Sequence, residues 1–246
     1  MRTSSYLIAL VLVLALTLGA VAAQAETTNC TPIAAVPTVI TVQGIYCFTK
    51  HLETNITTGN AIDIQTNNVI LDLNGWKLGG LAAGPGTGAI GIFASNGQNI
   101  TIKNGTVRGF RFGIVLSDAG VSQGHVVEDI RADQNREIGM IVTGAGILIR
   151  NNQVVATGGS TRAAVGILVS GAGPRVLNND VIDTQGTGTA WGIRFDGTSG
   201  ALAVNNRITN ADVGIEFVGG TGKYRDNLTT GVTTPFVGGT PVGIND

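Results

Sequence analysis

The sequence predicts an all-β protein, a parallel β-helix of about six or seven stacked coils. A glycine followed by Ile or Met, here called the GI motif, recurs with successive differences of 22, 26, 27, 26 and 22, at Gly91, Gly113, Gly139, Gly166, Gly192 and Gly214. An asparagine lies 13 or 14 residues after five of these six glycines. The runs between these positions are short and apolar or β-branched, which favours strands over helices.

The recurring asparagines predict a structural position in the repeat. ILIRNNQVV holds Asn151 and Asn152 between two apolar runs, and similar pairs return in VLNNDVI and AVNNRIT. Asparagine is favoured in turns, where its amide bonds to neighbouring backbone groups. In stacked coils, an asparagine at the same turn can bond to the turns above and below it. We therefore expect a structural ladder formed by Asn104, Asn152, Asn179, Asn206 and Asn227.

Composition limits the possible functions. The chain has 246 residues, 37 glycines, 6 prolines and 13% charged residues, and its formal net charge is −1. The length suits one domain with a sizeable core. A nucleic-acid partner is not expected, because the sequence has no cluster of Lys and Arg residues to contact phosphates.

The beginning of the sequence predicts export. Residues 1–25 have a short basic start, an apolar stretch and an Ala-Gln-Ala ending, which is typical of a signal peptide cleaved before Glu26; an uncleaved anchor helix is the alternative. No later segment is expected to span a membrane, so we expect a secreted or periplasmic protein. In that setting Cys30 and Cys47 are expected to form a disulfide rather than remain free thiols.

Three regions follow from these patterns. Residues 26–66 are expected to form an N-terminal cap that contains the disulfide. Residues 67–246 are expected to form the β-helix, which residues 230–246 close at the C-terminal end.

The GI strand and the asparagine turn resemble those of the right-handed parallel β-helices of the pectate-lyase-like superfamily. CTPIAAVPTVITVQGIYCFTKHL, NVILDLNGWKL and YRDNLTTGVTTPFVGG also resemble exported bacterial β-helix repeat proteins without an assigned activity. The resemblance implies a single-stranded right-handed solenoid. It implies little about chemistry, because the superfamily contains lyases, hydrolases, epimerases and non-catalytic proteins.

Several catalytic signatures are missing from the sequence. The NTD, DD, GHG and RIK segments of polygalacturonase-like proteins do not occur, and neither does GxSxG. His51 and His125 are the two histidines, too few for the usual zinc ligand sets.

Alternation along the GI strands predicts an outward column of Phe93, Val115, Ile141, Leu168, Arg194 and Glu216. In one interpretation the apolar members lie under loops, and Arg194 and Glu216 form a surface ion pair. In the other, the column belongs to a binding face for an extracellular or cell-envelope polysaccharide. The substrate-binding candidates are Phe93, Ile141, Leu168, Trp191 and Arg136.

Three functional hypotheses remain open. The leading one is polysaccharide binding with catalysis unproven. A second is a non-catalytic structural or protein-interaction module, in which the apolar column forms an oligomer contact. The third is a calcium-dependent lyase acting on uronates, with Arg194, Glu216 and Asp196 as catalytic candidates and Asp183, Asp196 and Glu216 as Ca²⁺ ligands.

Overall fold

Short strands joined by tight turns make up most of the computed structural model, which describes residues 29–117 and 120–246. The predicted signal peptide, residues 1–25, lies outside the described residues. A 3₁₀ helix, Leu81–Ala83, interrupts the strands once within this part of the chain. The strands in chain order are β1 Thr31–Ile33, β2 Thr38–Ile40, β3 Gly44–Phe48, β4 Leu52–Glu53, β5 Asn60–Ile64, β6 Val69–Asp72, β7 Lys77–Gly79, β8 Ile90–Ser95, β9 Thr101–Arg108, β10 Phe112–Ser117, β11 Val126–Asp133, β12 Ile138–Thr143, β13 Leu148–Arg150, β14 Gln153–Gly158, β15 Ala164–Ala172, β16 Arg175–Leu177, β17 Asp180–Gln185, β18 Ala190–Ser199, β19 Ala201–Val204, β20 Arg207–Val218, β21 Gly222–Arg225, β22 Leu228–Val237 and β23 Thr240–Pro241.

All named strand pairs are parallel, and they stack along three sides of a solenoid. The first side, here called the GI sheet, contains the GI motifs and runs through β2, β5, β8, β10, β12, β15, β18, β20 and β22. The second sheet runs through β1, β3, β6, β9, β11, β13, β16, β19, β21 and β23. The third sheet runs through β4, β7, β9, β11, β14, β17, β20 and β22.

The all-β solenoid prediction is confirmed, with about eight turns in place of six or seven. The additional turns come from the two ends of the chain. β2 pairs with β5 and β5 with β8, so the boundary expected at residue 66 falls inside a continuous stack. At the other end β22 pairs with β20, which adds the last coil.

The GI glycines recur because there is no room for a side chain at their position. A Cβ on Gly113 would lie 2.5 Å from the carbonyl oxygen of Gly139 in the next coil, and a Cβ on Gly139 would lie 2.6 Å from that of Gly166. Contacts this short require the stacked coils to separate. The glycine therefore sets the close approach of successive GI strands.

The residue after each GI glycine points into the solenoid and is fully buried; these residues are Ile92, Ile114, Met140, Ile167, Ile193 and Ile215. Burying one such side chain contributes about 1.5–3 kcal/mol. At the C-terminal end the interior becomes aromatic. Phe195 stacks on Phe217 at 4.5 Å between ring centroids, and Tyr224 stacks on Phe236 at 4.9 Å.

Buried asparagines form a ladder at the turn between the second and third sheets. The backbone N–H and side-chain Nδ2 of Asn179 both donate to Oδ1 of Asn206 at 3.0 Å, and Asn206 donates to Asn227 in the same way. Asn227 donates to Asn245, which extends the ladder. Each residue before a ladder asparagine has a left-handed backbone; Asn151, Asn178 and Asn205 have φ of 54–56°.

Asn104 is not a member of this ladder, contrary to the sequence-based expectation. It has φ of 56°, and it aligns with Asp129 because its neighbours Lys103 and Gly105 pair with Glu128 and Ile130. Asn104 therefore occupies the outer, left-handed position of the turn, where its amide donates to Asp72. Gly105 takes the inner position.

Cys30 and Cys47 form the expected disulfide between the beginning of β1 and β3. It links the first two strands of the second sheet, where Pro32 pairs with Cys47. In the described residues, no helix is long and apolar enough to cross a bilayer.

Candidate functional site

The outward side of the GI sheet, here called the GI face, consists largely of apolar side chains in two columns. In each column, residues on successive coils are in register. The first column is Ile90, Phe112, Ile138, Val165, Trp191 and Val213, and the second is Phe93, Val115, Ile141, Leu168, Arg194 and Glu216. Most members are partly exposed, because neighbours on the coils above and below cover their flanks.

The two charged members of the second column form an ion pair at the C-terminal end of the GI face. Arg194 Nε lies 3.4 Å from Glu216 Oε2, and an Nη of Arg194 lies 4.0 Å from a carboxylate oxygen of Asp196. The Arg194 guanidinium also lies over the Trp191 ring, 4.6 Å from its centroid. A guanidinium held this way stays charged, which suits binding of a carboxylate better than removal of a proton.

Arg136 lies on the edge of the GI face and is partly buried. An Nη of Arg136 donates to the backbone oxygen of Thr87 at 2.6 Å. Beside it, Arg111 Nε donates to Glu137 at 2.9 Å, and the Arg111 guanidinium lies over the Phe112 ring. Because these contacts occupy Arg136 and Arg111 within the protein, they hold the edge of the apolar columns.

A polar groove runs along the solenoid where the third sheet turns toward the GI sheet. Two adjoining concavities of about 450 and 380 Å³, which share Gln185, make up this groove. Hydroxyl, amide and carboxylate groups from four successive coils line it: Thr157, Asp183, Thr184, Gln185, Asn210, Asp212 and Thr233. Such groups match the hydroxyl groups of a saccharide, each of which can both donate and accept a hydrogen bond.

A second column of left-handed residues positions the side chains of the polar groove. Asp183 and Asn210 both have φ of 56° and lie on adjacent coils, since their neighbours Ile182 and Thr209 pair. Asn210 Nδ2 donates to Asp183 Oδ1 at 2.7 Å. The repeat therefore places polar side chains in a line along the solenoid axis.

The polar groove adjoins the charged end of the GI face. Asp212 in the groove accepts a hydrogen bond from the backbone N–H of Ala190 at 2.8 Å. Ala190 begins β18 and directly precedes Trp191, whose side chain belongs to the GI face. Trp191 Nε1 is buried and has no hydrogen-bond partner. An aromatic ring therefore lies beside the polar groups.

The structure does not bring the three expected calcium ligands together. Asp183 lies in the polar groove, whereas Asp196 and Glu216 lie on the GI face. Among residues 29–117 and 120–246, no group of three or more His, Cys, Asp or Glu side chains could hold a metal ion.

Sequence reasoning missed most of the polar groove, including Gln185, Asn210 and Thr233. Asn210 follows Asp183 by 27 residues, which in turn follows Ala156 by 27 residues, but the three residue types differ. The regular spacing was the available signal, and the variety of side chains concealed it.

Another concavity, of about 470 Å³, lies where the GI sheet turns into the second sheet. Its lining includes four glycines together with Leu202 and Lys223. It offers few side-chain groups for directed hydrogen bonds, so we do not assign it a role.

The fold and the surface define a class of protein: a parallel β-solenoid whose repeats present an elongated binding surface. The family model described as "Right handed beta helix region" matches residues 90–237, and the chain belongs to this family. No curated protein matches the sequence.

Two solved tailspike structures are similar to the chain. The enzymatically active domain of tailspike protein 2 from bacteriophage CBA120 superposes with a TM-score of 0.55 and 14% identity, over 81% of this chain and 36% of that chain. The Dettilon tailspike protein superposes with a TM-score of 0.51 and 14% identity, over 88% and 54% of the two chains. The protein thus spans about a third to a half of these chains, and the likeness concerns the fold.

Proposed function

We propose that the protein is exported and binds an extracellular or cell-envelope polysaccharide, which lies along the polar groove beside Trp191. The observation that supports this function is the line of hydroxyl, amide and carboxylate side chains from four successive coils. A polysaccharide is itself a repeating chain, so equal groups at regular intervals suit it. The Cys30–Cys47 disulfide is typical of the oxidising compartments outside the cytoplasm.

Binding would use the two parts of the site differently. Gln185 and Asn210 would bond to sugar hydroxyls, and Trp191 would supply apolar contact at the edge of the groove. The charged Arg194 would favour a polysaccharide that carries carboxylates, although Glu216 already compensates part of its charge. A catalytic role for Arg194, Glu216 and Asp196 stays a prediction.

The test is titration of a panel of neutral and acidic polysaccharides against the intact protein, followed by Gln185→Ala. Removing an amide that bonds to the ligand should weaken binding about tenfold. Gln123→Ala is the matched control, because Gln123 is also an exposed glutamine but lies outside the groove. The proposal fails if no polysaccharide binds, or if both variants bind like the parent.

Lyase chemistry is tested separately by absorbance from unsaturated uronate products, with and without Ca²⁺. Product that forms with the parent protein and not with Arg194→Ala would support catalysis at this residue. Product that forms equally with both would place any chemistry elsewhere.

A further inference from the structure

The apolar part of the GI face is self-complementary. We propose that two copies of the chain pair face to face through it, with their solenoid axes antiparallel. This inference goes beyond polysaccharide binding and concerns the GI face rather than the polar groove. It rests on the order of charges along the second column.

The second column extends toward the N-terminus by one charged residue, since Asp63 pairs with Phe93 on the adjacent coil. From Asp63 to Arg194 the column covers six coils, with a negative charge at one end, a positive charge at the other and four apolar residues between. Asp63 and Arg194 are both partly exposed and can therefore reach a partner.

A two-fold axis parallel to the strands, between the coils of Val115 and Ile141, brings the column of one copy onto that of the other in reverse order. Each charge then meets its opposite, and apolar residues meet apolar residues. The facing pairs are Asp63 with Arg194, Phe93 with Leu168, and Val115 with Ile141.

The first column obeys the same symmetry. It begins at Asn60, which pairs with Ile90. Under the same axis Asn60 faces Trp191, Ile90 faces Val165, and Phe112 faces Ile138. The polar amide of Asn60 thereby comes within reach of the Trp191 indole, and the other contacts in this column are apolar.

Other registers are unfavourable. A shift of one coil in one direction places Asp63 against Glu216, two like charges. A shift in the other direction places Asp63 against Leu168, which buries a charge without a partner. The proposed register is the one that pairs the charges at both ends.

The area is sufficient for a specific contact. Six coils about 4.8 Å apart, each presenting a strand of five or six residues, give about 500 Å² per copy and about 1,000 Å² in total. This total lies at the lower end of specific interfaces, so we expect a dimer that dissociates in the micromolar range.

The first test measures molecular mass by sedimentation across micromolar concentrations, without saccharide. The parent should be a dimer, and Ile141→Asp should raise its dissociation constant at least about 100-fold, because two uncompensated charges enter the apolar centre. Leu202→Asp is the matched control, since Leu202 is a 37% exposed leucine outside the GI face, and it should leave the dimer intact. A monomeric parent, or a dimer unaffected by Ile141→Asp, would overturn the proposal.

The second test uses charge reversal to check the register. Asp63→Lys and Arg194→Asp each create two like-charge contacts in a homodimer, and each should weaken it about 10- to 100-fold. An equimolar mixture of the two variants has opposite charges at both ends and should recover dimers. Circular dichroism of each variant confirms that it is folded. A mixture that stays monomeric while both variants are folded would refute the register.

The two proposals can fail independently. Gln185→Ala should leave the dimer unchanged, because Gln185 lies in the polar groove, outside the paired columns. A protein that binds polysaccharide as a monomer would overturn the dimer alone. A dimer without affinity for any polysaccharide would overturn the proposed function alone.

Discussion

The turn between the second and third sheets is stabilised differently in the two halves of the solenoid. In the C-terminal half, buried asparagines from Asn152 onward occupy its inner position. In the N-terminal half, Gly105 and Ile130 occupy the same position. The backbone is nevertheless similar, with φ of 56° at Asn104 and 54° at Asp129. The left-handed residue makes the turn, and the inner amide adds stability to a turn that forms without it.

The most severe test of this difference is Asn179→Ala. The substitution removes the acceptor of the Asn152 backbone N–H and of the Asn152 side chain, both buried. Because each buried donor left unpaired costs about 1–3 kcal/mol, we expect the free energy of unfolding to fall by about 3 kcal/mol. Urea denaturation measures it.

Asn178→Gly is the control for this prediction. Asn178 is the outer residue of the same turn, and glycine adopts its φ of 56° without strain. We expect a change within about 0.5 kcal/mol. Equal losses for Asn178→Gly and Asn179→Ala would show that the inner amide has no special role.

Ile130 allows the difference to be reduced. Its backbone N–H already donates to Asn152 Oδ1 at 2.9 Å, and its side chain is buried. Ile130→Ala should cost about 2–4 kcal/mol through lost packing. Ile130→Asn should lose at most about half as much, because the new amide can join the ladder. Thermal unfolding of both variants decides; an asparagine variant less stable than the alanine variant would mean that the ladder does not extend to this coil.

The halves also differ at the interior of the turn that leads to the GI sheet. Asn135 is buried with its amide bonded to Phe110 and Val107, whereas the buried hydroxyls of Thr157 and Thr184 have no hydrogen-bond partner. Thr157→Val should therefore be neutral or stabilising by up to about 1 kcal/mol, and Asn135→Val should destabilise by more than that. Loss of stability in Thr157→Val, measured by urea denaturation, would reveal a bond to this hydroxyl.

The smallest effect concerns Glu53 in the N-terminal half. The hydrogen bond from Lys77 and its positive charge lower the pKa of the Glu53 carboxyl below its ordinary value. A lowered pKa stabilises the folded state above the ordinary value, and this contribution is lost as pH falls through the folded-state pKa. Because Glu53 is exposed, the effect on unfolding should be small.

Lys77→Met tests the origin of this shift. It should return the pKa of Glu53 toward its ordinary value, as measured by NMR titration. A pKa that stays low in Lys77→Met would require another cause.

The repeat made much of this architecture predictable. The GI glycines mark positions where stacked coils touch, so their spacing gave the coil length and, by alternation, the register that pairs Arg194 with Glu216. Asn104 was misplaced because asparagine suits both positions of the turn, one for its left-handed backbone and one for its amide. The glycine after Asn104 was the distinguishing sign, since an inner amide has no space there. A Cβ on Gly105 would lie 2.4 Å from that of Leu73.

The polar groove was harder to predict for a physical reason. Its line of side chains depends on a backbone conformation that aspartate, asparagine, glycine and alanine all adopt here, at Asp183, Asn210, Gly231 and Ala156. No single residue type marks such a column, and a groove between coils appears only when the coils are stacked.

The asparagine ladder has a direction. Every Nδ2 in it points toward the C-terminal coil and every Oδ1 toward the N-terminal coil, from Asn152 to Asn245. The amide dipoles therefore add, and each bond polarises the next. The Ile130 N–H meets the negative end, and the positive end lies near Asp226 and Asp246. The solenoid thus contains, in side chains alone, an axial dipole of the kind that backbone amides give an α-helix, and its positive pole lies at the C-terminal coil.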